Sequence, residues 1–314
     1  MAMMRVLISA IARAACLGMI VTLGVVNSAW ALSASADIGA AAYTPGSQDN
    51  HKGLLWKVER SGLRPSYVFA TINSEDPRVM QLPPAVVQAF QLSDVFAMEL
   101  IPDHVALARM TAAMFISSGP DLRTLLGKDY FSKVAALMSK HGVAPPLLSK
   151  LKPWVVFTAL TMPKPQDGIF LDVILYGAAL SGGKNVHGLE TADEQVAIFT
   201  DIRLDDQVAI LKDVVDHYAT LARINKEMVR RYTQGDLGGV AALQDEFLPN
   251  DDQRLIHAFK QHMIDDRNLR IVNRILPRIE EQNAFIAIDA GLLPGDQGVL
   301  HLLRQRGYRI SPVY

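Results

Sequence analysis

The segment LWKVERSGLRPSYVFATIN, residues 55–73, decides the fold that the sequence predicts. Residues 55–59 alternate apolar and polar side chains as a β-strand does, and residues 66–72 read as a second strand. The intervening residues 60–65 contain a glycine and a proline, which favour a turn. The two strands are therefore expected to form a hairpin.

Four more strands and a series of helices are predicted along the chain. The strands are residues 94–100, 185–190, 284–288 and 308–314. Helical spacing of apolar residues and helix-boundary signals predict shorter helices near 84–90, 105–114 and 131–138, from 153 onward, and at 171–180 and 299–304. Because strands stand at both ends and helices in the middle, we expect a single α/β (α+β) domain. Its central mixed β-sheet is formed by both ends of the chain and covered by helices.

Two long helices are expected in the second half of the chain. The first begins at Asp205 and ends at Gly235, with apolar residues at helical spacing in between. The second holds apolar residues from Leu255 to Leu276. Pro277 is expected to bend or end this second helix.

Composition excludes several classes of protein. The 314 residues contain 31 Lys and Arg against 32 Asp and Glu, a net charge of −1, which excludes a strongly basic nucleic-acid binder. Half of the residues are hydrophobic, which excludes a mostly disordered chain. The sequence contains no P-loop, no G-x-G-x-x-G, no G-x-S-x-G and no H-E-x-x-H motif.

The first 50 residues read as a targeting segment followed by a linker. Arg5 and Arg13 precede a long apolar run, and Ala29-Trp30-Ala31 is an A-x-A cleavage pattern, so residues 1–31 are predicted to be a secretory signal peptide. Residues 32–50 are rich in Ala, Ser and Gly and are predicted to be a flexible linker. The protein is thus expected to be exported, to a bacterial periplasm or outside the cell. An uncleaved signal serving as a membrane anchor is the alternative.

The chain that remains after cleavage has two further properties. It contains no cysteine, because the one cysteine is Cys16, so disulfides and thiolate ligands are not expected. No stretch of it approaches the roughly 20 apolar residues that a transmembrane helix needs.

Polar side chains at strand ends are the candidates for a functional site. Thr71, Glu99, Glu190 and Asp289 each stand where a predicted strand ends. In α/β folds such ends collect in one crevice, where ligands bind. Glu99 and Glu190 could bind a hard cation or serve as acid and base. Alternatively, each of these residues caps a helix or pairs with an arginine.

Arg267 and Asn268 stand within a predicted helix, between apolar positions. If Arg267 is buried it needs a carboxylate partner, and Glu99 or Glu190 could supply one. A surface arginine is the alternative.

These residues, in this order, resemble the TraB/PrgY/GumN family, whose animal relatives are the Tiki metalloproteases. The resemblance runs from Gly53 to Tyr314. The matching segments are 53–58, 67–73, 76–79, 82–84, 94–99, 151–154, Asp172, 188–191 with 194–195, 267–268, 293–295, 298–300, 303 and 307–308. The resemblance implies a TraB/GumN-like domain over residues 51–314. It also implies a fold similar to Tiki, erythromycin-esterase-like and ChaN-like proteins.

The sequence departs from the family at both of its Gly-x-x-His motifs. The first motif has Ala70 and Asn73 in place of glycine and histidine, and the second has Asp289 and Leu292. In Tiki-type enzymes, the two histidines are understood to help hold a catalytic divalent metal. Leu292 has no lone pair to offer, whereas the amide oxygen of Asn73 suits only a hard cation.

Two hypotheses follow from this resemblance. The first is a catalytically degenerate relative, a pseudoenzyme that needs no cofactor and binds a peptide or a cell-envelope component. The alternative is an active metal-dependent hydrolase, most simply a peptidase, with a rearranged oxygen-rich site for Mn, Co, Mg or Ca. Its metal ligands would be Asn73, Glu99, Glu190 and Asp289.

In the active alternative the candidate catalytic residues are Glu99, Glu190 and Arg267. One glutamate would be a ligand and the other a base for bound water, and Arg267 would orient a carboxylate or stabilise an oxyanion. Thr71, Asn268 and Leu292 are expected to line the cleft. A small-molecule or haem-binding module is a third possibility, supported by fold analogy alone.

Overall fold

A six-stranded mixed β-sheet forms the centre of the computed structural model, which describes residues 51–163, 168–245 and 266–314. The strands are β1 (Leu55–Glu59), β2 (Ser66–Thr71), β3 (Val95–Met98), β4 (Asn185–Gly188), β5 (Ala284–Asp289) and β6 (Arg309–Pro312). Their order across the sheet is β4-β3-β5-β2-β1-β6. Strands β2 to β5 run parallel, whereas β1 pairs antiparallel with β2 and β6. The predicted hairpin and mixed sheet are confirmed.

The inner strands of this sheet are covered on both faces. Residues 284–288 of β5 are fully buried. Phe285 packs against Phe69 of β2 and Phe96 of β3, with ring centroids 5.7 and 6.5 Å apart. Parallel strands covered on both faces form continuous apolar runs rather than alternating ones. This explains why apolar runs in the sequence predicted these strands.

Thirteen α-helices accompany the sheet within the described ranges. They are α1 (Pro77–Met80), α2 (Pro84–Leu92), α3 (His104–Ala113), α4 (Leu122–Ser139), α5 (Pro145–Leu148), α6 (Pro153–Thr161), α7 (Leu171–Ser181), α8 (Ala192–Thr200), α9 (Leu204–Asp216), α10 (Tyr218–Thr233), α11 (Leu237–Asp245), α12 (Asp266–Glu281) and α13 (Val299–Gln305). Side chains of Asp103, Asp121 and Thr191 cap α3, α4 and α8 by accepting a hydrogen bond from a backbone N–H in the first turn. The predicted single α/β domain is confirmed.

Among the described residues, buried apolar side chains form two large clusters, one on the sheet and one among the helices. Residues of α7, α12 and α13 pack on the sheet. Residues of α4, α6 and α9 form the second cluster, in which Trp154 stacks on Phe199 with centroids 5.1 Å apart. The helical middle of the chain therefore packs largely around its own core.

The expectation of one helix from Asp205 to Gly235 is wrong. The helix is interrupted at His217, whose φ of −101° and ψ of 14° are not helical. The first half, α9, packs into the helical cluster, and so does Leu221 in the first turn of α10. Val229 and Tyr232, near the end of α10, pack on the sheet. The change from one core to the other therefore falls within α10, after Leu221, rather than at the break.

Of the two expectations for Pro277, the one that it ends the second long helix is wrong. Pro277 does not end it, because α12 continues to Glu281. Ile275 and Ile279, on either side of the proline, are both buried on the sheet. This packing offsets the backbone hydrogen bond that proline cannot donate. The expected first part of the helix, residues 255–265, lies outside the described residues.

The predicted signal peptide, residues 1–31, and the linker, residues 32–50, also lie outside the described residues. Within the ranges that are described, none of the helices combines the length and the apolar character needed to cross a bilayer.

Candidate functional site

Four polar residues stand together where the parallel strands end. Thr71 and Asp289 are paired at the ends of β2 and β5, Glu99 directly follows β3, and Glu190 follows β4. The Glu190 backbone N–H donates to the Glu99 carbonyl oxygen at 2.6 Å. These strand ends meet at one edge of the sheet, as the sequence predicted. We call the group Thr71, Glu99, Asp172, Glu190, Arg267 and Asp289 the carboxyl-edge cluster.

Arg267 joins the two glutamates of this cluster. Its Nε lies 2.9 and 3.0 Å from the two carboxylate oxygens of Glu190, and its Nη2 lies 2.7 Å from Oε2. The same Nη2 lies 3.4 Å from Oε1 of Glu99. The Arg267 side chain is 12% exposed and that of Glu190 is fully buried. Arg267 therefore contacts both Glu99 and Glu190, the two carboxylates that were expected from the sequence as its possible partners.

Electrostatic coupling accompanies this geometry. Burial lowers the pKa of the Arg267 guanidinium, but the charges of Glu190 and Glu99 outweigh burial and leave that pKa above its ordinary value. Burial raises the pKa of Glu99 to about 8, although Arg267 alone would lower it. Neighbouring carboxyl groups add to the rise; they belong to Asp289, Asp172 and Glu190.

Glu99 is also tied to the end of β5. The backbone N–H of Asp289 donates to Oε1 of Glu99 at 3.1 Å. The Asp289 carboxylate accepts a hydrogen bond from the Gly291 N–H at 2.8 Å and so caps a short 3₁₀ turn, Ala290–Leu292. Asp289 therefore shapes the turn that occupies the place of the second histidine motif.

Asp172 is a cluster residue that sequence reasoning did not assign to the site. Oγ1 of Thr71 donates to Oδ1 of Asp172 at 2.8 Å, which links β2 to the first turn of α7. Burial raises the pKa of Asp172 to about 6, and the Thr71 hydrogen bond opposes the rise. The signal in the sequence was an acid inside the apolar run of residues 169–175.

Tyr232 is a second residue that the sequence gave no reason to place here. Its hydroxyl donates to the carbonyl oxygen of Ala70 at 2.8 Å, in β2. Burial raises its pKa, and the charges of Asp172 and Asp289 add to the rise. Tyr232 thus lies near the acidic part of the cluster.

Asn268 and Leu292 lie beside the cluster. Asn268 is fully buried, and its Nδ2 donates to the carbonyl oxygens of Leu292 and Gln297 at 3.1 and 2.9 Å. The Leu292 side chain is buried, at 4% exposure. Asn268 therefore fixes both ends of the loop that follows the 3₁₀ turn, and Leu292 contributes apolar packing.

The donor set does not fit the divalent metal that the family resemblance implies. Across the described stretches, no three or more His, Cys, Asp or Glu side chains are arranged so that they could hold a metal ion. The position of the second motif histidine is the buried, apolar Leu292. Asn73 is half-buried beyond β2, and no hydrogen bond links its side chain to the cluster among the described residues.

Comparison with known proteins identifies the family of the chain and several distant relatives. The profile of the TraB/PrgY/gumN family matches residues 54–312. Metalloprotease TIKI2 of Danio rerio is 24% identical over 321 residues, covering 85% of this chain and 62% of the relative. Metalloprotease TIKI1 of Homo sapiens is 22% identical over 317 residues, which cover 84% of this chain and 62% of the relative. A metalloprotease TIKI homolog of Nematostella vectensis is 23% identical over 322 residues, with 85% and 68% covered.

The chain spans about three fifths of the length of the first two relatives. No solved structure matches it. Because the family profile covers most of the chain and its segments build both the sheet and the cluster, the chain belongs to the TraB/PrgY/gumN family.

Proposed function

We propose that this protein is an exported, catalytically degenerate relative of the Tiki metalloproteases that binds a peptide or a cell-envelope component at the carboxyl-edge cluster. One observation carries the proposal. Nη2 of Arg267 contacts Glu190 at 2.7 Å and Glu99 at 3.4 Å, so a guanidinium lies between the two glutamates that would have to share a metal.

The chemistry of the neighbouring positions supports the same conclusion. Two imidazole ligands are replaced, by Asn73 and by the buried Leu292. Removing even a hydrogen-bond partner of a metal ligand typically lowers metal affinity by about 10–100-fold, so the loss of two ligands has a larger effect. A metal would also have to displace Arg267 from a buried ion pair.

The charge of the cluster indicates which part of a ligand it favours. The carboxyl groups of Glu99, Glu190 and Asp289 act on the Arg267 guanidinium, and Asp172 adds a fourth carboxyl group near Glu99 and Asp289. This excess of carboxyl groups favours a cationic group, such as a basic side chain or the amino terminus of a peptide. Because the relatives are named metalloproteases, a peptide is the ligand class that we propose first.

Metal content is the direct test. The full chain, processed as the cell processes it and purified without a histidine tag, is supplied with Mn, Co, Mg or Ca in turn. We expect far less than one bound metal per chain and no rise in melting temperature, since a ligand that binds only the folded state must raise it. We also expect no cleavage of a peptide library, and retention of basic peptides rather than acidic ones.

An active hydrolase with an oxygen-rich site remains the second candidate. The proximity of Glu99 to Asp289, whose N–H lies 3.1 Å from Oε1, is the observation that favours it. One bound metal per chain that is lost in Glu99→Ala, together with metal-dependent peptide cleavage, would establish this candidate and refute the degenerate one. Asp193→Asn is a control at an exposed carboxylate paired with Arg109, and it should change neither result.

A further inference from the structure

A second arginine of α12 binds the same segment as Arg267. Arg274 is seven residues after Arg267, two helical turns away, so both point from one face of the helix. Nη1 of Arg274 donates to the Leu189 carbonyl oxygen at 2.8 Å. Its Nη1 and Nη2 also bind the two carboxylate oxygens of Glu194, each at 2.7 Å. Arg274 thus binds Leu189, the residue before Glu190, and Glu194, four residues after Glu190.

Glu194 is held at the same time by the start of α8. Its Oε2 accepts from the backbone N–H of Thr191 at 2.8 Å and from the Thr191 hydroxyl at 3.1 Å. The Thr191 side chain in turn accepts from the Glu194 N–H, which completes a capping box. In the same helical turn, Nε2 of Gln195 donates to Oε2 of Glu190 at 3.2 Å. The capped turn therefore also supports Glu190.

We propose that Arg274 and Glu194 are a positioning pair that sets α12 against the turn between β4 and α8, and thereby holds Arg267 on Glu190 and within reach of Glu99. The two side chains are 39% and 26% exposed, so they lie outside the buried part of the cluster. This inference concerns the arrangement of the cluster and holds whether or not the proposed function does.

The contact distances of Arg267 are sensitive to the position of α12 along its own axis. Nη2 of Arg267 is 2.7 Å from Glu190 and 3.4 Å from Glu99. The rise of an α-helix is about 1.5 Å per residue, so a shift of α12 by a fraction of one residue is as large as the difference between these two contacts. By fixing the position of α12, the positioning pair sets the distances from the Arg267 guanidinium to Glu190 and to Glu99.

Glu194→Gln separates the ion pair from the helix cap, because glutamine also serves at this position of a capping box. The measurement is hydrogen exchange of the Arg267 Nε–H in the full chain, followed by ¹H–¹⁵N NMR and assigned by the signal missing in Arg267→Lys. We expect exchange about tenfold faster in Glu194→Gln, because the support of Arg267 opens more often. Asp193→Asn, which changes an acid in the same turn, is the matched control and should leave the exchange rate unchanged.

Arg274→Lys provides a second variant that keeps the positive charge but cannot bind Glu194 through a bidentate fork. We expect its exchange rate to lie between those of the wild type and Glu194→Gln. Unchanged exchange in both variants, or an equal acceleration in Asp193→Asn, would overturn the inference and leave Arg274 as a surface ion pair alone.

Discussion

Arg267 and Glu190 form a buried ion pair joined by contacts of 2.9, 3.0 and 2.7 Å. The net contribution of such a pair to the free energy of unfolding can be small, but the removal of one partner alone is strongly destabilising. Loss of one partner leaves an uncompensated buried charge, whereas replacement of both can be nearly neutral. Both residues therefore have a structural reason to be present even where no metal chemistry occurs.

This asymmetry predicts the result of a double-mutant cycle. We expect Arg267→Met and Glu190→Gln each to lower the free energy of unfolding by about 3–5 kcal/mol. The double variant should be destabilised by less than the sum of the two, since it leaves neither partner stranded. Urea unfolding measures all four proteins. Additive effects would contradict the prediction and would mean that Arg267 acts mainly on Glu99.

Asp172 predicts a pH dependence of stability. Its pKa in the folded state, about 6, lies above its ordinary value of 3.8, so the folded protein binds more protons than the unfolded chain between these values. The contribution of this group to stability therefore falls as the pH rises from about 4 to 6. Asp172→Asn removes the effect and keeps an acceptor for the Thr71 hydroxyl.

We therefore expect Asp172→Asn to gain stability relative to the wild type as the pH rises, by about 1–3 kcal/mol between pH 4 and 7. Denaturant unfolding at several pH values gives the difference. A difference that stays constant across this range would contradict the raised pKa. Thr71→Val should act in the opposite direction, because loss of its hydrogen bond raises the pKa of Asp172 further.

The inner strands β2, β3 and β5 could be predicted from sequence because they are short apolar runs with polar ends. The run at residues 284–288 is buried on both faces, and Thr71 and Asp289 stand at the ends of paired parallel strands. The rule that strand ends collect at one edge then placed Glu99 and Glu190 with them. Local pattern and one topological rule were sufficient for this part of the site.

Features set by tertiary contact could not be predicted in the same way. Asp172 enters the cluster through a hydrogen bond to Thr71, 101 residues away, which no local pattern encodes. The helical spacing of apolar residues continues from Val208 to Met228, so no local pattern marks the break at His217. Pro277 is tolerated inside α12 because neighbouring isoleucines are buried on the sheet. At Asp172 and Pro277, tertiary contacts override the local signal.

Asn268 predicts a large effect of a small substitution. Its buried Nδ2 donates to the carbonyl oxygens of Leu292 and Gln297, so Asn268→Asp would place a carboxylate against two other acceptors. We expect a loss of about 2–4 kcal/mol in the free energy of unfolding. Asn185→Asp, at an exposed residue of β4, is the control and should cost less than about 0.5 kcal/mol. Equal effects would show that the loop after the 3₁₀ turn does not depend on Asn268.

Glu194 predicts a pH dependence of opposite sign to that of Asp172. Hydrogen bonds from Arg274 are the largest cause that lowers the pKa of Glu194, to about 2 from an ordinary 4.5. An acid whose pKa is lower in the folded state contributes stability above its unfolded pKa and loses it as the pH falls toward the folded value.

We expect Glu194→Gln to be less stable than the wild type by about 1–2 kcal/mol at neutral pH. We expect this gap in the free energy of unfolding to narrow steadily from about pH 4.5 to pH 3. Urea unfolding of both proteins across this range measures the gap. If the gap is as wide at pH 3 as at pH 7, the glutamine has disturbed the helix cap rather than the ion pair with Arg274.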